Sequence, residues 1–348
     1  MENRNFSLDL LRAVAILMVF IGHTVLSYGS PSNLAPLQFG GTGVDLFFVL
    51  SGWLIGYQLF KELELFGNID VKRFWIRRWM RTLPAYYSVL GYTIIQQYLT
   101  KENFTFPFAH LIFLQNYEEN LTLFTVSWSL SVEEQFYLVI APLVVVITKL
   151  GKHYRTLILV LLLFLPSFFR EVEWYGSLKE THVRWDCCVM GVLLANIHYS
   201  YSDFWTKLVD AAVPLATISL LIYLTFYYFR WFPNESISDP NALVLAFLFG
   251  SWVLWAQKIH IHFNKYINNA VYYVSTRSYA IYLLHPDALA VTAKLIPEQN
   301  FVLYISGAFG LSCLASEALY RIVEKPIMNA RNNFLVSQHR SSVVKMTN

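Results

Sequence analysis

Apolar runs of about bilayer length recur from one end of this chain to the other, and they decide what it can fold into. A helix that crosses the hydrocarbon layer needs about 20 mostly apolar residues. Such stretches fall near residues 8–28, 41–60, 83–100, 128–148, 156–170, 183–199, 208–229, 241–257, 271–293 and 300–322. Only 14% of the 348 residues are charged and 56% are hydrophobic, where a soluble domain carries roughly 25% charged residues. The expectation is an all-α, polytopic membrane helical bundle of about ten transmembrane helices. Residues 104–117 are apolar but short and read as a re-entrant or interfacial piece. No small-residue cleavage site follows the first span, so it reads as a retained helix rather than a signal peptide.

Lysine and arginine set the orientation. With the N-terminus inside, 18 of them fall in inward segments and 6 in outward ones. Both termini are therefore expected to be cytoplasmic, with a membrane domain over 1–330 and a tail over 331–348. A net charge of +3 gives no reason to expect nucleic acid as a partner. Cys187, Cys188 and Cys313 form no disulfide framework and no C-x-x-C pair. His260 and His262, two apart, diverge on a helix and have no accompanying carboxylate or cysteine cluster, so no metal is expected. G-x-S-x-G, H-E-x-x-H and phosphate-loop motifs are absent.

The first span, LDLLRAVAILMVFIGHT, carries Asp9, Arg12 and His23, groups that lipid rejects. Eleven residues separate Arg12 from His23, about three turns plus 20°, so both lie on one face, roughly 16 Å apart along the axis. Asp9 stands one turn before Arg12 and can pair with it. Two readings are open. Arg12 snorkels from a helix end and His23 bonds a neighbouring helix; or the face holds a ligand that is anionic at one end and reactive at the other. Acyl-CoA has that shape, with Arg12 holding the anion and His23 acting as the proton-transfer base.

Motifs along the chain extend this second reading. LDLLRAVAI with R-x10-H, GGTGVDLFFVLSGWLIG (40–56), RRWMRTLPAYY (77–87), SWSLSVEEQFYL (127–138), THVRWDCCVMGVLLA (181–195), YAIYLLHP (279–286) and VEKP (323–326) occur in that order. Together they resemble the membrane acyltransferase-3 family over residues 6–328. The chain is expected to lack the soluble hydrolase-like domain that some members carry at the C-terminus. The resemblance implies transfer of an acyl group, usually acetyl, from cytoplasmic acyl-CoA. The implied acceptor is a hydroxyl of an envelope glycan, such as a lipopolysaccharide O-antigen, or of a lipid-linked sugar. The implied location is the bacterial cytoplasmic membrane.

Under that reading His23 is the general base, or the nucleophile of an acetyl-histidine route. Glu133, on which the family motif falls, faces inward to orient His23 or bind the acceptor, while adjacent Glu134 points about 100° away, towards the surface. Either carboxylate also suits a helix N-terminus. Arg77, Arg78 and Arg81, in a basic loop at 72–81, converge on CoA phosphates, or lie at lipid headgroups as inside arginines do. Ser51 and Gly52 leave room for a thin acyl-bearing arm, or serve close helix packing. Asp45, Arg184 and Asp186 need partners on other helices: sugar hydroxyls, Glu133, or one another as a structural ion pair. His285, before Pro286, shapes the outer site or bonds across a kink. The competing functional class is an exporter or flippase of a glycan without acyl-transfer chemistry.

Overall fold

The computed structural model describes residues 5–121, 123–231, 240–259, 261, 263–296 and 300–331, and these are helical with no strand among them. His260 and His262 lie outside the described residues. The helices are α1 (Phe6–Ser27), α2 (Gly43–Phe66), α3 (Val71–Thr100), α4 (Phe108–Leu111), α5 (Trp128–Ile147), α6 (Lys152–Glu171), α7 (Asp186–Ser200), α8 (Ser202–Asp210), α9 (Ala212–Trp231), α10 (Ala242–Lys258), α11 (Lys265–Leu295) and α12 (Phe301–Leu319). Each expected span falls on one of them. By length and composition, six helical stretches among the described residues suffice to cross a membrane, and α10 is a shorter apolar helix. Only 17% of the apolar window of α9 and 22% of those of α6 and Phe301–Arg331 are buried within the protein. Apolar surface left open on that scale needs lipid to cover it. The chain is an integral, multi-pass membrane protein.

Caps set the helix ends. Asn5 accepts hydrogen bonds from the backbone of Ser7 (2.9 Å) and Leu8 (3.3 Å) at the start of α1, satisfying donors that a helix start leaves open. Its amide also donates to Ala256 O at 3.0 Å, tying α1 to the end of α10. α2 ends on Gly67, whose φ of 70° is the left-handed conformation glycine adopts without strain. Asp70 then caps α3 through the Arg73 amide at 2.9 Å. This cap corrects one expectation: residues 72–81 are not a loop but the first turns of α3, which runs on through Pro84. The segment 104–117 folds back along the bundle. Tyr86 and Tyr87 hydroxyls donate to His110 O (2.9 Å) and Leu111 O (2.8 Å), and Gln135 donates to Phe113 O at 2.6 Å.

The tightest helix pair is α2 with α7. A Cβ on Gly52 would lie 2.0 Å from the Cys188 carbonyl oxygen, and one on Gly191 would lie 2.3 Å from Val49 O. Small residues let the two backbones approach, as in membrane helix pairs generally. Gly52→Ala is therefore expected to destabilise the protein by about 1–3 kcal/mol, because backbone has to move. Gly91→Ala, with nothing within 4 Å of the added carbon, is expected to be neutral or slightly stabilising. Thermal unfolding of both variants in one detergent checks the contrast.

Candidate functional site

α1, α2, α3, α5 and α11 line a cavity of about 110 Å³, open to solvent, with Phe113 of the returning segment in its wall. Arg12 enters from α1, Ser51 from α2, Arg78, Arg81 and Thr82 from α3, Glu133 and Glu134 from α5, and Tyr279 and Tyr282 from α11. Much of the remaining lining is apolar, including Phe47, Leu50, Leu54 and Leu130.

One hydrogen-bonded chain organises the polar wall. Arg78 Nη2 donates to the Tyr137 hydroxyl at 2.6 Å, and that hydroxyl donates to Glu133 Oε2 at 2.6 Å. Ser51 bonds the same hydroxyl. The Arg78 guanidinium also lies 4.3 Å from the centre of the Tyr137 ring, a cation–π placement. Trp75 Nε1 donates to Tyr137 O at 3.1 Å, holding this part of α5 against α3. Thr82 donates to Glu134 Oε1 at 2.9 Å, while Glu134 Oε2 is buried with no hydrogen-bond partner among the described residues. Arg81 has no hydrogen bond or ion pair among the described residues and is exposed at the cavity. An unsatisfied carboxylate oxygen and an uncommitted guanidinium in one cavity are sites for a polar ligand.

The histidines form a separate unit. His23 Nδ1 and His285 Nε2 are 2.8 Å apart, and the rings stack with centroids 4.9 Å apart. His285 is fully buried and its Nδ1 donates to Tyr282 O at 2.8 Å. Neither imidazole lines the cavity. Tyr282, which lines the cavity, has its ring 5.7 Å from the His285 ring. Its hydroxyl donates to Val126 O at 2.9 Å and accepts from Ser129 at 2.6 Å.

Several expected site residues are placed otherwise. Glu133 does not bond His23; its carboxylate is committed to Tyr137 and stands 4.0 Å from Arg78. Glu134 does not face the surface but the same cavity as Glu133. Arg77 is exposed and outside the cavity lining, unlike Arg78 and Arg81. Gly52 abuts Cys188 and leaves no room for a ligand on that side. Asp45, Arg184 and Asp186, expected at the acceptor, are held in two ion pairs outside the cavity. Arg184 meets Asp45 at 2.8 Å and Arg170 meets Asp186 at 2.8 Å. Burial explains this, since a carboxylate removed from water requires a paired charge. Tyr137, Thr82 and Tyr282 join the site without having been expected there. Tyr137 was legible in the sequence, standing four residues after Glu133 on one helix. Among the described residues no group of three or more His, Cys, Asp or Glu is placed to hold a metal.

A family model described as an acyltransferase domain matches residues 5–321, and the chain belongs to this family, acyltransferase-3. Among curated relatives, a peptidoglycan O-acetyltransferase, OatA, of Listeria monocytogenes is 25% identical over 94% of this chain and 56% of its own length. An O-acetyltransferase OatA of Staphylococcus aureus is 27% identical over 92% of this chain and 56% of its own. A putative O-acetyltransferase of the same organism is 26% identical with the same coverage. The chain thus spans about half the length of the curated relatives it matches. No solved structure matches it.

Proposed function

We propose that this chain is a membrane O-acyltransferase that moves an acetyl group from cytoplasmic acyl-CoA to a hydroxyl of a cell-envelope glycan. The observation that carries the reading is the cavity itself: it brings uncommitted Arg81 together with Arg12 and Arg78, an apolar lining, and Tyr282, whose ring neighbours His285. The guanidinium groups suit phosphates through charge-assisted bonds. The apolar stretch suits a thin pantetheine arm. The relatives named for O-acetylation, one of them for peptidoglycan, favour a glycan hydroxyl as acceptor; lipopolysaccharide, exopolysaccharide and lipid-linked sugars belong to the same chemical class. Relatives from bacteria favour the bacterial cytoplasmic membrane as the location.

In this reading His23 is the base. Its ring removes the acceptor's proton as the oxygen attacks the thioester carbonyl; the C–O bond forms, the C–S bond breaks, and the proton passes to sulfur. His23 is not in the cavity lining, so in this reading the side chains next to His285, Tyr282 first among them, shift to bring the thioester to His23; the Tyr282 hydroxyl is otherwise held by Ser129 and Val126 O. Glu134 Oε2 is left to accept a hydrogen bond from the bound substrates.

The deciding experiment uses purified protein in nanodiscs with labelled acetyl-CoA and glycan acceptors. Transfer of label into an ester supports the reading. Glycan movement across a vesicle membrane with no label transferred overturns it in favour of an exporter. Arg81→Ala is expected to raise KM for acetyl-CoA roughly 10- to 100-fold, the worth of a hydrogen bond to a charged group, with kcat changed much less. Arg77→Ala, outside the cavity, is expected to leave both near wild type.

A further inference from the structure

The hydrogen bonds of the histidine pair carry more than its proximity does. A carbonyl oxygen only accepts, so His285 Nδ1, 2.8 Å from Tyr282 O and 3.3 Å from Ile281 O, bears the hydrogen. A neutral imidazole has a single N–H, so His285 Nε2 is a lone pair. That lone pair faces His23 Nδ1 at 2.8 Å, which makes His23 Nδ1 the donor. Neutral rings are the consistent choice. Among the described residues no carboxylate pairs with either histidine, and an unpaired buried imidazolium is costly.

We infer that His285 is a positioning residue that fixes His23 in the Nδ1–H tautomer, leaving His23 Nε2 as the one basic nitrogen of that ring. The assignment rests on the reading of His23 as the base. His285 is fully buried and lies outside the cavity lining, so it acts through His23, as the aspartate of a Ser-His-Asp triad acts through its histidine. It differs from a relay in one respect. The chain ends on a backbone carbonyl, which takes no proton. The proton gained at His23 Nε2 when the acceptor O–H bond breaks therefore leaves from the same nitrogen, forming the S–H bond as the C–S bond breaks. One nitrogen serves as base and then as acid, and the two reactants have to meet on the same edge of the ring.

The test is nitrogen NMR of the full chain in detergent or nanodiscs, labelled with 15N-histidine, with the His23 signals identified by their loss in His23→Gln. Expected in the wild type is a protonated Nδ1 and an unprotonated Nε2 at His23 above its titration. In His285→Leu the lone pair is gone, so His23 should show a mixed or Nε2–H tautomer. In that variant kcat should fall at least about 10- to 100-fold, the range for removing the hydrogen-bond partner that orients a metal-bound imidazole, with KM for acetyl-CoA within about twofold. His285→Gln supplies an amide oxygen to His23 Nδ1–H and should restore the tautomer and most of kcat. A wild-type His23 protonated at Nε2, or Leu and Gln variants alike in both readouts, overturns the inference. The wild-type spectrum decides it even where a variant does not fold. If the tautomers behave as expected while His23→Ala keeps full activity, the base reading fails and the tautomer assignment stands.

Discussion

His23→Ala is expected to slow acyl transfer by roughly 10²–10⁴-fold, the range that a positioned general base contributes, while the protein still inserts and stays folded. The separation of the two effects follows from the site. The ring is half-buried and its hydrogen bond is to one partner, His285. Losing that bond leaves the buried His285 Nε2 unpaired and costs about 1–3 kcal/mol, which the packing of the rest of the bundle is expected to withstand. Binding of acetyl-CoA should be nearly unchanged, because Arg12, Arg78 and Arg81 line the cavity and the His23 ring does not. The measurement pairs kcat and KM from labelled acetyl-CoA with an abundance and melting comparison in the same detergent. Wild-type rates in a properly folded His23→Ala protein would remove His23 from the chemistry.

What could be read in advance, and what could not, divides along a physical line. The apolar blocks placed every span on a helix, because a bilayer fixes both the length and the composition of what crosses it. The eleven-residue step from Arg12 to His23 put both side chains on one face of α1 by helix geometry alone; packing turns Arg12 to the cavity and His23 to His285 of α11. Periodicity gives the face of a helix but not the neighbour that meets it. Asp45, Arg184 and Asp186 were legible as groups needing partners, and the partners, Arg184 for Asp45 and Arg170 for Asp186, depend on how α2, α6 and α7 pack. Glu134 illustrates the same limit. Adjacent carboxylates diverge by 100°, yet both reach one cavity, because α3 and α11 crowd that side of α5 with Thr82 and Tyr279. Tyr282, which lines the cavity beside His285, is one aromatic residue among many in the sequence, and only the packing of α11 against Ser129 singles it out.

Asp45→Ala should be the most damaging single loss of charge in the bundle, costing about 3–5 kcal/mol, as for other buried pairs that lose one partner. Asp45 Oδ1 accepts from Arg184 at 2.8 Å, the carboxylate side chain is 4% exposed, and Cys187 Sγ also approaches it. Without it the Arg184 guanidinium remains over the Trp128 ring, 5.4 Å away, with its Nε already buried and unpartnered. One relief is available. Asp186 Oδ1 has no hydrogen-bond partner among the described residues, and a swing of Arg184 towards it, although Arg170 already holds the other oxygen, moves the cost to the lower end of the range. Removing both charges should cost less than removing one, because a buried ion pair replaced by apolar groups of similar volume is often neutral. Asp45→Leu with Arg184→Met is therefore expected to melt above Asp45→Ala. None of these residues lines the cavity, so the double variant should retain wild-type KM for acetyl-CoA and most of its kcat below its melting point. A double variant as unstable as the single one would show that the pair does not act through charge compensation. A stable but inactive double variant would return Asp45 and Arg184 to the acceptor site.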